Sequence, residues 1–158
     1  MSKKNKFGKK IPDSAHEARL YSERRRLDEI SGGDHTLDLI MNTAIEGDAE
    51  LLGFLARNFG INYVEGGKHA LFWVAGSNDL EAAELLISAG STVHNAGKKA
   101  ASPLMHAAYR NQLDMAKLLV KHGARVHYAD GNGDTALSFA LEQGHEEMAA
   151  YLRSLMEG

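Results

Sequence analysis

A 33-residue period constrains this chain more than any other feature of its sequence. Leu71 stands over Leu104 and Leu137, and Leu86 over Leu119 and Leu152. The same offset aligns Ala75 with Ala108, Leu80 with Leu113, Ala83 with Ala116 and Ala149, Leu85 with Leu118, Gly90 with Gly123, and Val93 with Val126. Periods of this size mark chains built from stacked supersecondary units, so the repeat governs the fold before any local propensity does.

One unit can be read residue by residue. Ser102 can cap a short helix of small and apolar residues, Pro103 to Ala108, with Pro103 in the first turn where its missing N–H costs nothing. After a tight turn, Leu113, Met115, Ala116, Leu118 and Leu119 place a broad apolar stripe on a second helix, while Asp114, Lys117 and Lys121 face water. Gly123 can take the left-handed conformation that closes this helix, and Lys121 and His122 suit the negative end of its dipole. Tyr128 to Asp134 then form a loop rich in turn formers. A lone helix pair cannot bury its own stripe and must stack on a like neighbour. Ala75, Ala107, Ala108 and Ala140 allow the first helices to approach closely.

These segments resemble the ankyrin repeat. Its T-P-L-H-x-A-A, L-L-x-x-G-A and D-x-x-G-x-T signatures are matched by Ser102 to Ala108, Leu118 to Ala124 and Asp130 to Thr135. A weaker unit comes first: Ala44 to Leu52 is similar to the join between two helices, and Phe54 to Gly60 to the end of the second, with one extra residue before the glycine. The expected fold is all-α, a solenoid of about four helix-turn-helix units with projecting loops. It should occupy 34–158, as approximately 36–68, 69–101, 102–134 and 135–158, behind a basic N-terminal tail and helix over 1–33. Glu146, Glu147, Arg153 and Glu157 give the last unit the polarity that an open end requires. Phe72, Met105 and Ser138 stand where the family's first-helix histidine would be. A capping bond of about 1 kcal/mol is therefore expected to be missing from each unit.

Charge is unevenly spread. The chain has a net charge of −3, but residues 1–26 sum to +6 and the remaining 132 to −9. Residues 1–12, with five lysines, Gly8 and Pro12, read as a disordered tail. Ser14-Ala15-His16-Glu17 is a capping box, and the stretch to Ile30 predicts a helix over about 14–30 that packs on the first repeat or stays mobile. Lys3, Lys4, Lys9, Lys10, Arg24, Arg25 and Arg26 suit nucleic acid phosphates or an acidic partner, or are an ordinary solvated tail and helix face. Only Phe7 and Tyr21 interleave with them, which gives base stacking little support. Lys3 to Lys10 lead into Ile11-Pro12-Asp13 and not into a signal-peptide core, and no run of about 18 apolar residues exists. The expectation is a cytoplasmic protein with no membrane span, monomeric when free.

The chemistry-bearing residues do not assemble into reaction motifs. Without cysteine there are no disulfides, thiolate nucleophiles or cysteine zinc sites. His122 and His127 lie either side of a helix stop, and His145-Glu146-Glu147-Met148-Ala149 lacks the second histidine of the zinc protease motif. Asp130 to Asp134 resemble a calcium loop, yet Leu141 stands where its twelfth-position glutamate belongs. No G-x-S-x-G or phosphate loop occurs. The reading is a non-catalytic chain with no cofactor and no metal.

The resemblance implies that a partner protein binds on the concave side, formed by first helices and loops. Trp73, His106 and Phe139 share one register there, with Asn42 the equivalent in the first unit. Trp73 suits a buried interface anchor or packing between helices, and Phe139 suits packing. Tyr109 and Arg110 end a first helix, and Lys98, Lys99, Tyr128, Asn132 and Asp134 belong to loop tips. The functional expectation is a protein-interaction module. One alternative is an inhibitor or immunity or counter-defence protein whose acidic groups block a toxin, nuclease or other enzyme. The other is a nucleic-acid-associated regulator using the basic arm.

Overall fold

Eight α-helices and no named strand lie among the described residues of the computed structural model, which are Ser22 and residues 35–158. They run in antiparallel pairs: α1 (Thr36–Glu46) with α2 (Ala49–Phe59), α3 (Ala70–Ala75) with α4 (Leu80–Ser88), α5 (Pro103–Tyr109) with α6 (Leu113–Lys121), and α7 (Ala136–Glu142) with α8 (Glu146–Met156). In the last three pairs the first helices begin 33 residues apart, at Ala70, Pro103 and Ala136, and so do the second, at Leu80, Leu113 and Glu146. The expected tail over 1–12, all but Ser22 of the expected helix over 14–30, and the seven basic residues singled out between Lys3 and Arg26 lie outside the described residues.

The sequence pattern explains where the helices start, face and stop. On α6, Met115, Ala116 and Leu119 are buried and Leu113 and Leu118 half-buried, whereas Asp114, Lys117 and Lys121 are exposed. Behind it Gly123 adopts φ +91°, so that its N–H reaches the Val120 carbonyl and the Ala124 N–H the Leu119 carbonyl, each at 2.9 Å. A side chain at that left-handed position would be strained, which is why glycine ends this helix.

The expected loss of first-helix caps does not hold in two of the three units. Ser102 Oγ accepts the Met105 N–H (3.2 Å) while the Met105 sulfur accepts the Ser102 N–H (3.3 Å). Thr135 Oγ1 accepts the Ser138 N–H (3.1 Å) and Ser138 Oγ returns the bond to the Thr135 N–H (2.8 Å). Thioether and hydroxyl thus fill the acceptor role of the missing histidine, and both donors that open these helices are satisfied. In the second unit His69 holds the cap position and makes no cap bond. Its Nε2–H donates instead to the His94 carbonyl at 3.0 Å, and its Nδ1 is buried without a hydrogen-bond partner.

Packing follows from residue size. Leu71 and Leu104 in the first helices, and Leu86, Leu119 and Leu152 in the second, are enclosed; each is worth roughly 1.5–3 kcal/mol against exposure. Ala75, Ala107, Ala108 and Ala140 are fully enclosed as well. With methyl groups there, the first helices touch one another more extensively than the second helices do. Two cross-unit hydrogen bonds reinforce the stack at equivalent positions. Gln112 Nε2 donates to the Gly76 carbonyl (3.3 Å) and His145 Nε2–H to the Tyr109 carbonyl (3.1 Å). Asp48 and Asp79, at the corresponding place in the first two units, cap their own helices through the Leu51 and Ala82 N–H groups.

Burial lowers the pKa of His69, and the bond to the His94 carbonyl only partly opposes this. The folded chain therefore binds this proton more weakly than the unfolded chain. The resulting stability is full above about pH 6.5 and is lost as pH falls through that value toward the folded-state pKa. His69→Thr, which supplies the hydroxyl cap of the neighbouring units, should flatten the decline in urea-unfolding stability between about pH 7.5 and 5.5. An unchanged slope would remove His69 from the account of acid sensitivity.

Candidate partner-binding surface

The first helices and the turns leading into them carry the sequence-predicted site residues. Gly66 and Gly67, both with positive φ (+58° and +78°), turn the chain so that Glu65 and Lys68 exchange backbone hydrogen bonds of 3.0 and 3.1 Å. Two consecutive left-handed residues make the tight hairpin turn for which glycine is suited. This turn sets Lys68 beside α3, where its ammonium lies 4.8 Å from the Trp73 ring centroid and 5.1 Å from that of Phe72.

His106 is held at the centre of the same ledge. Its ring stacks on Phe72 (4.5 Å between centroids, 14° between planes) and meets Trp73 edge-on at 5.9 Å. Nδ1 lies 2.7 Å from the Phe72 carbonyl, and because a carbonyl only accepts, Nδ1 carries the proton. Gly76 closes the other side: a Cβ built there would come within 2.4 Å of the imidazole Cε1. Burial lowers the His106 pKa; the Phe72 hydrogen bond opposes this, and the Arg110 and Lys68 charges push it lower still. The ring is neutral at pH 7. Trp73 remains 40% and Tyr109 45% exposed, and Tyr109 meets Phe139 edge-on at 6.2 Å. Beside Trp73 a cleft of about 370 Å³ is lined by Leu37, Asp38, Met41, Glu65 and Gly66.

Two groups emerge from the predicted residues. Trp73 and His106, with Lys68 and Phe72, are in mutual contact, and Arg110 follows His106 by one helical turn as the residue that caps α5. Lys98, Lys99, Tyr128, Asn132 and Asp134 form a separate loop group. There the Tyr128 hydroxyl donates to the Ala100 carbonyl (2.9 Å) and the Gly131 N–H to the Lys99 carbonyl (2.9 Å). Asn132 and Asp134 both donate their N–H groups to Asp130 Oδ1, at 2.9 and 3.0 Å. Tyr128 and Asp134 are half-buried by these contacts, while the Lys98, Lys99 and Asn132 side chains are exposed. Asn42 is exposed on α1, and Phe139 is half-buried against the core. Lys68, Gly76 and Gln112 escaped sequence reasoning. One signal for Gly76 was available, since it stands 33 residues before Tyr109, where the period admits a bulky side chain.

Among the described residues, no group of three or more His, Cys, Asp or Glu could hold a metal ion, and no helix is long and apolar enough to cross a membrane.

Gly76→Ala keeps a right-handed backbone, so its cost arises from the clash with His106. It should destabilise the chain by about 1–3 kcal/mol and shift Trp73 emission to the red. The double variant Gly76→Ala, His106→Ala should recover much of that loss in a mutant cycle. Additive single effects would contradict the contact.

An ankyrin repeat family model matches three copies over residues 71–157, more than half of the chain. No curated protein matches it. Ankyrin repeats are generic protein–protein interaction modules and the family is typically non-catalytic. The 33-residue spacing of the helix pairs, their alanine-lined packing and this match lead to one conclusion: the chain belongs to the ankyrin repeat family.

Proposed function

We propose that this protein is a non-catalytic, cytoplasmic binding module that captures a partner protein on the first-helix side of its stack. The observation that carries the reading is the exposure of Trp73 and Tyr109 on otherwise enclosed short helices. Both rings are braced, Trp73 by Phe72, His106 and Lys68, and Tyr109 by Phe139. Large aromatic side chains held in one orientation lose little entropy on binding, which is why they anchor interfaces. Arg110, exposed at the end of α5, adds a charged donor beside them.

The alternative of an inhibitor acting through acidic groups draws support from the opposite face. There Glu81 and Glu84 border an open groove of about 440 Å³ floored by Leu80, Leu85 and Leu118. The two readings use different surfaces, so mutagenesis separates them.

Affinity capture from the native cell with wild-type, Trp73→Ala and Arg110→Ala proteins should show a discrete partner that the variants lose by about tenfold or more. Capture that survives both substitutions but fails with Glu81→Lys, Glu84→Lys would move the binding face to the outer helices. The free chain should sediment as a monomer.

A further inference from the structure

Three basic side chains converge on the ledge without a counter-ion. Among the described residues the ion pairs join His35 to Asp38 (3.5 Å) and His122 to Glu84 (3.3 Å), and none involves Lys68, His106 or Arg110. Lys68 reaches over the two rings that His106 touches, and Arg110 follows His106 by one helical turn. The Nδ1–H of His106 is committed to the Phe72 carbonyl, and Nε2 is left without a protein hydrogen bond. The helices α3 and α5 contain no carboxylate; Asp38 and Glu65 stand in the cleft beside Trp73 without an ion pair to these three, and Glu50, Glu81, Asp114, Glu146 and Glu147 occupy the first turns of the second helices. The acidic body thus presents a locally basic spot beside the exposed Trp73 ring.

We propose that Lys68, His106 and Arg110 receive an acidic side chain of the partner, with an apolar partner residue beside it against Trp73. This rests on the protein-binding reading above and adds the chemistry of what is bound. The groups facing the imidazole are Lys68 from the turn before α3 and Arg110 from its own helix; α3 contributes the uncharged Phe72 and Trp73, and Asp38 and Glu65 line the cleft beside Trp73. A carboxylate placed at Nε2 offsets the two cations that disfavour a charged ring, so binding takes up a proton at His106 and tightens as pH falls. A nucleic acid strand fits less well. It carries a phosphate at every nucleotide and would run past a three-residue spot onto Asp38 and Glu65.

Trp73 is the only tryptophan and reports the site directly. The probes are an otherwise uncharged peptide of about 12 residues with a single Glu beside a central Phe, its twin with Lys for Glu, and an oligothymidylate of about 12 nucleotides. The acidic peptide should saturate the change in Trp73 emission and bind about fivefold more tightly at pH about 6 than at about 7.5. Arg110→Glu should weaken it about tenfold, and His106→Gln should flatten the pH dependence. The proposal is overturned if the Lys twin or the oligonucleotide binds as tightly, if no peptide saturates the signal, or if His106→Gln leaves the pH dependence intact. Should native-partner capture still depend on Trp73 and Arg110 while the Lys twin wins, protein binding stands and the acidic assignment falls.

Discussion

Close approach of alanine-lined helices is the constraint on which the rest of this structure depends. Ala75, Ala107, Ala108 and Ala140 are fully enclosed, and their side chains are no larger than a methyl group. The first helices touch one another more extensively than the second helices do. Trp73 and His106 on those first helices, and Arg110 at the end of one, lie along this first-helix side. Each first helix spans only six or seven residues in the last three units, too few to persist alone. Their conformation is supplied by the neighbours, so packing and the binding surface are aspects of one arrangement.

The ledge illustrates how a repeat carries function without giving up its scaffold. Positions that face the core repeat as leucine and alanine, whereas 73, 106 and 139 hold Trp, His and Phe. One imidazole serves both ends. Its Nδ1–H satisfies the Phe72 carbonyl and its face stacks on the Phe72 ring, which fixes the ring against which Trp73 leans. Gly76 makes room for it. Burial and the nearby cations keep it neutral at pH 7, so the ledge is held by an uncharged hydrogen bond within a basic neighbourhood.

Much of the architecture was legible because period and chemistry agree: leucines 33 apart mark the core, Gly123 marks a helix end, and Pro103 a helix start. The first-helix caps were not, because Met105 and Ser138 differ from the family's histidine in identity but not in accepting capacity. Cross-unit bonds from Gln112 and His145 span 36 residues and exist only once units stack, so no local pattern announces them. Of the candidate surface, the register shared by Trp73 and His106 could be read from the repeat. The place of Lys68 over Trp73 could not, because it depends on the path of the Gly66-Gly67 turn. Loop residues were hardest: Tyr128 and Asp134 look like exposed tips in sequence, yet the Tyr128 hydroxyl bonds across to Ala100 of the preceding loop and the Asp134 N–H is held by Asp130 within its own loop.

Site-specific photo-crosslinking in the native cell tests most directly whether the inner ledge is the surface that grips a partner. A photoreactive phenylalanine analogue in place of Trp73 should give a discrete protein adduct, and the same analogue in place of Glu81 on the outer face should give none. An adduct at 81 with none at 73 would contradict the account.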